Sequence, residues 1–173
     1  MAKCKSFRPQ ISNSSKILIL GSMPGIKSLE MQEYYAHPQN RFWKLMGIFC
    51  NCTNLSELNY ENKIEILLQN GFALWDVIKS CERTGSLDTN IKKEIPNEIP
   101  KLLAKYKNIK TICLNGNKAY CAFEKHFPNI KNKYIIHKLP STSPANAKYN
   151  LQSLYNEWKS NLVPPYAASS AEP

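Results

Sequence analysis

Between positions 21 and 43 the chain reads GSMPGIKSLEMQEYYAHPQNRFW, and most of its residues with chemical potential are gathered there. Gly21, Ser22, Met23, Pro24 and Gly25 make a tight loop with little side chain to cover the main chain. Glycines in such a loop let a ligand approach closely, and the free N–H groups become donors. Further on, Tyr34 and Tyr35 supply flat rings, His37-Pro38 a turn, and Asn40 a neutral amide ahead of Phe42-Trp43. Backbone donors, a stacking ring and an amide suit a nucleobase better than a phosphate or a metal ion. Plainer readings stand beside this one. Tyr35 can be a core tyrosine, Tyr34 can pack inward or wall a pocket, and Asn40 sits where Asn favours capping a helix. His37 titrates near neutrality and can carry a proton, hold a phosphate or simply shape a turn.

A second group lies late in the chain, at Pro140-Ser141-Thr142-Ser143-Pro144-Ala145-Asn146. Small hydroxyl residues between prolines make a stiff loop able to bond phosphate oxygens; the alternative is an ordinary surface turn. Lys138 and Lys148 flank it as candidate phosphate contacts. Asp76 and Asp88 are the acids near expected strand ends, able either to activate a water or to pin a loop. His137, inside an expected strand, reads as a core residue.

These groups must be positioned by alternating strands and helices. Apolar runs bounded by turn residues give strands at 16–20, 72–77, 110–114 and 134–139. Helical periodicity marks 41–49, 60–70, 96–106, 117–127 and 149–162, with Gly71 as a C-cap of the second. Residues 1–15 read as a partly ordered arm in which Phe7-Arg8-Pro9 packs as an extended piece. Positions 80–90 read as loop, and 164–173 as a disordered or vector-derived tail. The expected architecture is α/β, one domain over 16–163: a three-layer αβα sandwich on a mostly parallel four-stranded sheet. The 21–25 and 140–146 loops then fall at the carboxyl edge of that sheet, where open α/β sheets bind ligands.

The 173 residues suffice for one domain with a real core. No apolar run approaches the roughly 20 residues of a membrane span, and the start of the chain lacks the apolar region of a signal peptide. Six cysteines include one close pair, Cys50 and Cys52, with no second pair or His pair to complete a metal site, so reduced thiols are expected. The formal net charge is +10, and nine lysines between 101 and 138 stand against one acid, Glu124. Such a lopsided face fits a polyanion binder, or a chain simply rich in Lys, Asn and Ile.

The 21–43 stretch resembles the first motif of the uracil-DNA glycosylase superfamily. Its mismatch-specific uracil/thymine branch carries G-x-N-P-G followed by F-A-H-P-x-N-R-F-W, matched here by Tyr35-Ala36-His37-Pro38-Gln39-Asn40-Arg41-Phe42-Trp43. Met23 stands where that branch places its catalytic Asn, and a thioether cannot hold a water. The hypoxanthine (deoxyinosine) DNA glycosylase branch is more similar, with G-S-M-P-G and the Asn of the H-P-x-N segment in use. The resemblance implies catalysis by Asn40, base binding by Gly21, Ser22, Met23, Pro24, Gly25, Tyr35 and His37, and DNA contacts from Ser141, Thr142, Ser143, Pro144, Asn146, Lys138 and Lys148. It implies a monofunctional glycosylase that flips a deaminated base, hypoxanthine before uracil, out of double-stranded DNA. No Schiff-base lysine stands out, so strand cleavage is not expected. A stiff wedge would offset part of the few kcal/mol that flipping costs. Neither metal nor cofactor is expected, nor an obligate protein partner; a cytoplasmic, nucleoid-associated monomer is (nuclear if eukaryotic). The competing reading is a DNA- or RNA-binding module on the same fold, with Met23 marking lost chemistry.

Overall fold

Four short apolar runs build the centre. In the computed structural model, which describes residues 2–162, they form β2 (Ile17–Gly21), β3 (Phe72–Asp76), β6 (Thr111–Asn115) and β7 (Ile135–Leu139), all parallel in the order β3-β2-β6-β7. Side chains of a strand alternate between faces. Leu18, Leu20, Ala73, Ile112 and Leu114 therefore point one way, into a core shared with α4 (Ile99–Lys105) and α5 (Asn117–His126). Ile19, Leu74 and Cys113 point the other way, onto α2 (Phe42–Phe49), α3 (Tyr60–Gln69) and α6 (Leu151–Leu162). Phe42, Leu45, Leu67 and Trp158 fill that second layer and are fully buried. The αβα sandwich expected from the alternation is the fold.

The structure adds four elements with weak sequence signals. Helix α1 (Ile26–Met31) follows the 21–25 loop. Strand β1 (Ala2–Lys5) pairs antiparallel with β4 (Ile78–Arg83), which pairs with β5 (Lys92–Pro96) in a second sheet of order β1-β4-β5. Residues 80–83, expected as loop, are thus strand, and so are residues 2–5 of the expected arm. Both β4 and β5 are rich in Lys and Glu, and register shifts at Ser80 break the alternation that would reveal a strand. Phe7 of the arm packs on the sheet: Trp75 Nε1 donates to its carbonyl (3.0 Å), and its ring meets Tyr34 edge-on. The expected tail at 164–173 lies outside the described residues.

One carboxylate ties the second sheet to the first. Glu94 of β5 accepts from Lys118, Lys125 (3.0 Å) and His126 (3.2 Å) of α5. Burial pushes its carboxyl up, but those hydrogen bonds and the Lys118 charge outweigh it and bring the group down to about 2.

Candidate active site

The parallel strands end on Gly21, Asp76, Asn115 and Leu139, which share one edge of the sheet. Gly21 is required by close approach: a Cβ there would stand 2.7 Å from Asp76 Oδ1 and 3.3 Å from the Tyr35 hydroxyl. Tyr35 has φ +57°, a left-handed backbone unfavourable for a bulky residue and a mark of functional sites when neighbours enforce it. Its ring stacks on Phe42, with centroids 3.9 Å apart and planes 19° from parallel. Its hydroxyl accepts from Asn115 Nδ2 at 3.2 Å. Burial, reinforced by the Asp76 charge, raises its pKa well above the usual phenol range.

Asn40 enters through the same aromatic. Its backbone N–H donates to the His37 carbonyl (2.8 Å), closing the His-Pro turn. Its Oδ1 accepts from the Phe42 N–H at 3.0 Å, so the side chain caps the first turn of α2. The side-chain NH2 has no partner among the described residues. Tyr35 and Asn40, expected together from the motif, both contact Phe42, one through its ring and the other through its backbone N–H. His37 is exposed, and its Nδ1 accepts from the Gln39 N–H (3.2 Å).

The 140–146 loop is stitched to this group by two residues. Asn115 Nδ2 donates to Thr142 Oγ1 (3.1 Å) and its Oδ1 accepts from the Thr142 N–H (3.0 Å), so one amide touches both Tyr35 and the second loop. Thr142 is fully buried as a result. Arg41 is the second stitch. Its main chain and Nε donate to the Thr142 carbonyl, and its guanidinium donates to the carbonyls of Ser143, Asn146 (3.0 Å) and Tyr149. A planar fork reaches several carbonyls in a way a lysine cannot. Within the loop, Ser141 Oγ accepts from the Ser143 N–H and Asn146 Nδ2 donates to the Ser141 carbonyl, leaving Pro144 and Ala145 exposed at the tip. Gly116, at φ +101°, has no room for a Cβ because Ser141 would lie 2.9 Å away.

On the opposite flank, the connection between β4 and β5 leans on the 21–25 loop. Ser22 Oγ donates to Asp88 Oδ1 (2.7 Å), Ser86 Oγ accepts from the Ile26 N–H (2.9 Å), and the Arg83 guanidinium donates to the Pro24 carbonyl. Arg83 is 1% exposed, and its Nε and Nη1 are without partners among the described residues. Met23 is buried in the core with Val77 and Ile78, so what it offers a ligand is its backbone. Asp76 is buried and accepts from Ser6 Oγ (2.7 Å); burial raises its carboxyl to about 7 against the bonds from Ser6 and Tyr34. It pins the N-terminal segment. Tyr34 is buried beside Phe7 and points inward. Lys138 lies over the Tyr120 ring and Lys148 over Tyr149, both exposed to solvent. Among the described residues, no three His, Cys, Asp or Glu side chains converge as a metal site.

Sequence reading passed over Asn115, Arg41 and Arg83. The signal for Asn115 was available: a polar residue ends the third parallel strand, on the edge that carries both loops.

One edge of the sheet thus gathers a glycine loop, a tyrosine on a strained backbone and two amides, joined to a Ser/Pro loop. Residues 9–162 match the family model described as the uracil DNA glycosylase superfamily. The chain belongs to that superfamily, and it is a DNA glycosylase. It is 41% identical over 117 residues to a protein named hypoxanthine DNA glycosylase from Methanosarcina barkeri (strain Fusaro), covering 68% of this chain and 73% of that one. It is 35% identical over 156 residues to a protein of the same name from Methanosarcina acetivorans, covering 90% of this chain and 95% of the other. A solution NMR structure of a candidate uracil DNA glycosylase from Methanosarcina acetivorans superposes with a TM-score of 0.78 at 34% identity, covering 92% of this chain and 96% of that one.

Proposed function

We propose that this chain is a monofunctional glycosylase that takes a deaminated base, hypoxanthine first, out of double-stranded DNA and hydrolyses its N-glycosidic bond. The observation that carries the reading is the chain of contacts Asn40–Phe42–Tyr35–Asn115–Thr142, which unites ring, amides and second loop at one sheet edge. The names of the two Methanosarcina relatives support hypoxanthine; uracil is proposed as the second substrate.

Breaking the bond leaves an oxocarbenium-like sugar and a base carrying negative charge. With its Oδ1 engaged by the helix, Asn40 offers its NH2. That group orients the attacking water or donates to the departing base, and it takes no proton. Turnover is therefore slow, with rate coming from donors aimed at developing charge. Backbone N–H groups of Gly21, Ser22, Met23 and Gly25 grip the base, Tyr35 stacks on it, and His37 borders the entrance. Ser141, Ser143, Pro144 and Asn146 press on the duplex, with Lys138 and Lys148 on phosphates; Thr142, expected to join them, is buried and braces the loop from behind.

A duplex carrying one inosine or one uracil, incubated with the protein and then treated with hot alkali, tests this. Cleavage at the modified position is expected, inosine faster. Stoichiometric binding with no alkali-labile site would replace the enzyme reading with a binding module.

A further inference from the structure

The flank formed by the β4–β5 connection has no part in the chemistry above, yet it carries a carboxylate next to the base-gripping loop. Asp88 sits on a 3-10 turn at Asp88–Asn90. Its Oδ1 is fixed by Ser22, the residue after Gly21, whose Cα faces the Tyr35 hydroxyl. Its Oδ2 has no partner among the described residues. Asp88 is open to solvent as a residue; desolvation raises its carboxyl above the usual carboxylate range, against the hydrogen bond from Ser22. Its charge acts on both Tyr35 and Asp76, and the charges of Arg83 and Lys118 act on it in turn. Arg83 accounts for the rest of the arrangement. A buried guanidinium with two unpartnered nitrogens is costly, but it holds the Pro24 carbonyl and supplies a positive charge that favours ionised Asp88.

Deamination changes a base at one edge. Adenine has an acceptor at N1 and a donor at N6; hypoxanthine has an N–H at N1 and a carbonyl at C6. Uracil differs from cytosine in the same sense at N3. Donors such as the 21–25 backbone or the Asn115 amide can receive the new carbonyl. Only an acceptor can receive the new N–H, and an ionised carboxylate also repels the lone pair of an undamaged adenine. Asp76 is buried and its Oδ2 already accepts from Ser6, whereas Asp88 lies in the exposed β4–β5 connection. We propose that Asp88 is the specificity-determining acceptor: its Oδ2 takes the lactam N–H of the flipped base, and Ser22 holds it in position. This rests on the glycosylase reading above and assigns what that reading leaves open, the means of telling a deaminated base from its parent.

The test pairs a protein change with a substrate change. Single-turnover cleavage is measured on duplexes bearing 2′-deoxyinosine or 1-methyl-2′-deoxyinosine, which lacks the N–H, for wild type, Asp88→Ala and Asp88→Asn. A hydrogen bond to a charged group supports a wild-type preference of roughly ten- to a hundredfold for inosine. Asp88→Ala should bring the preference close to unity. Asp88→Asn, whose amide oxygen still accepts but without charge, should fall between. If Asp88→Ala slows both substrates equally and keeps the wild-type preference, Asp88 merely braces the loop and the proposal is overturned. Should Asp88→Ala fail to fold, Asp88→Asn decides alone, and an undiminished preference overturns it. A wild type that leaves the inosine duplex intact overturns the substrate reading itself, a different result from intact wild-type cleavage with an unmoved preference.

Discussion

At the scale of single residues, Asn40 holds two jobs that one substitution would confuse. Its Oδ1 caps α2 by accepting from Phe42, and its NH2 is the group offered to the reaction. Asn40→Ala removes both, and a lost cap costs about 1 kcal/mol. Asn40→Ser keeps an acceptor for the Phe42 N–H but has no amide. We expect thermal melting to drop for the Ala variant and to stay near wild type for Ser. Single-turnover cleavage should fall by about two orders of magnitude or more in both, the scale of one missing donor. A Ser variant that cleaves within roughly threefold of wild type would reduce Asn40 to a cap. Asp76 gives a second prediction, in stability. Its carboxyl is raised by burial from 3.8 to about 7 in the folded protein. The folded state therefore binds a proton that the unfolded state releases, and stability is lost as pH rises from about 4 to about 7. Asp76→Asn keeps an acceptor for Ser6 and cannot ionise. Urea unfolding at pH 5 and pH 8 should show the variant gaining on wild type at the higher pH; an equal difference at both would mean that ionising Asp76 costs the fold nothing. Tyr35 and Asn40 were legible in the sequence because the turn between them is spelled locally. The position of Asn115 at a strand end was legible too, but not its bonds, because its partners Tyr35 and Thr142 are 80 and 27 positions away.

At the scale of elements, the parallel strands were legible within a residue or two, since each is a buried apolar run closed by turn residues. The second sheet was not. Strand β4 buries Ile78, Cys81 and Arg83 out of step with a period of two, and β5 exposes Lys92, Lys93 and Ile95. Pairing, rather than hydrophobic pattern, defines these strands, and pairing is not written in either one alone. Likewise the turn before α2 and the 140–146 loop are adjacent because Arg41 crosses between them, a contact over 101 positions or more. Arg41→Lys keeps the charge and loses the fork. Helix α2 should persist, anchored by buried Phe42, Trp43 and Leu45. Hydrogen exchange at 142–149 should quicken by roughly fivefold, on the scale of one hydrogen bond of about 1 kcal/mol, while α2 amides hold. Unchanged exchange in that segment would mean the Asn115–Thr142 pair alone holds the loop.

At the scale of the molecule, the charge count misleads until the fold is known. Of the nine lysines from 101 to 138, four are paired with acids: Lys101 with Glu98, Lys118 and Lys125 with Glu94, and Lys131 with Glu124. Lys107, Lys110 and Lys133 line a cavity of about 330 Å³ with Leu103, Ile109 and Tyr134, beside the starts of β6 and β7 and away from the site edge. A basic composition thus does not amount to one basic face. Lys138 and Lys148 differ, because they bracket the 140–146 loop and rest on the Tyr120 and Tyr149 rings. A ring beneath the ammonium limits its freedom without neutralising it, which leaves the charge available to phosphate. Each phosphate contact steepens the dependence of log affinity on log salt by about 0.9 on duplex DNA. Replacing both lysines by Gln should flatten that slope by about 1.8, equally for plain and inosine-bearing duplexes, because phosphate contacts carry no sequence information. Fluorescence anisotropy across a salt series measures it. Weaker binding with an unchanged slope would mean that the two side chains support the loop through their rings, and that the counterions released on binding come from another face.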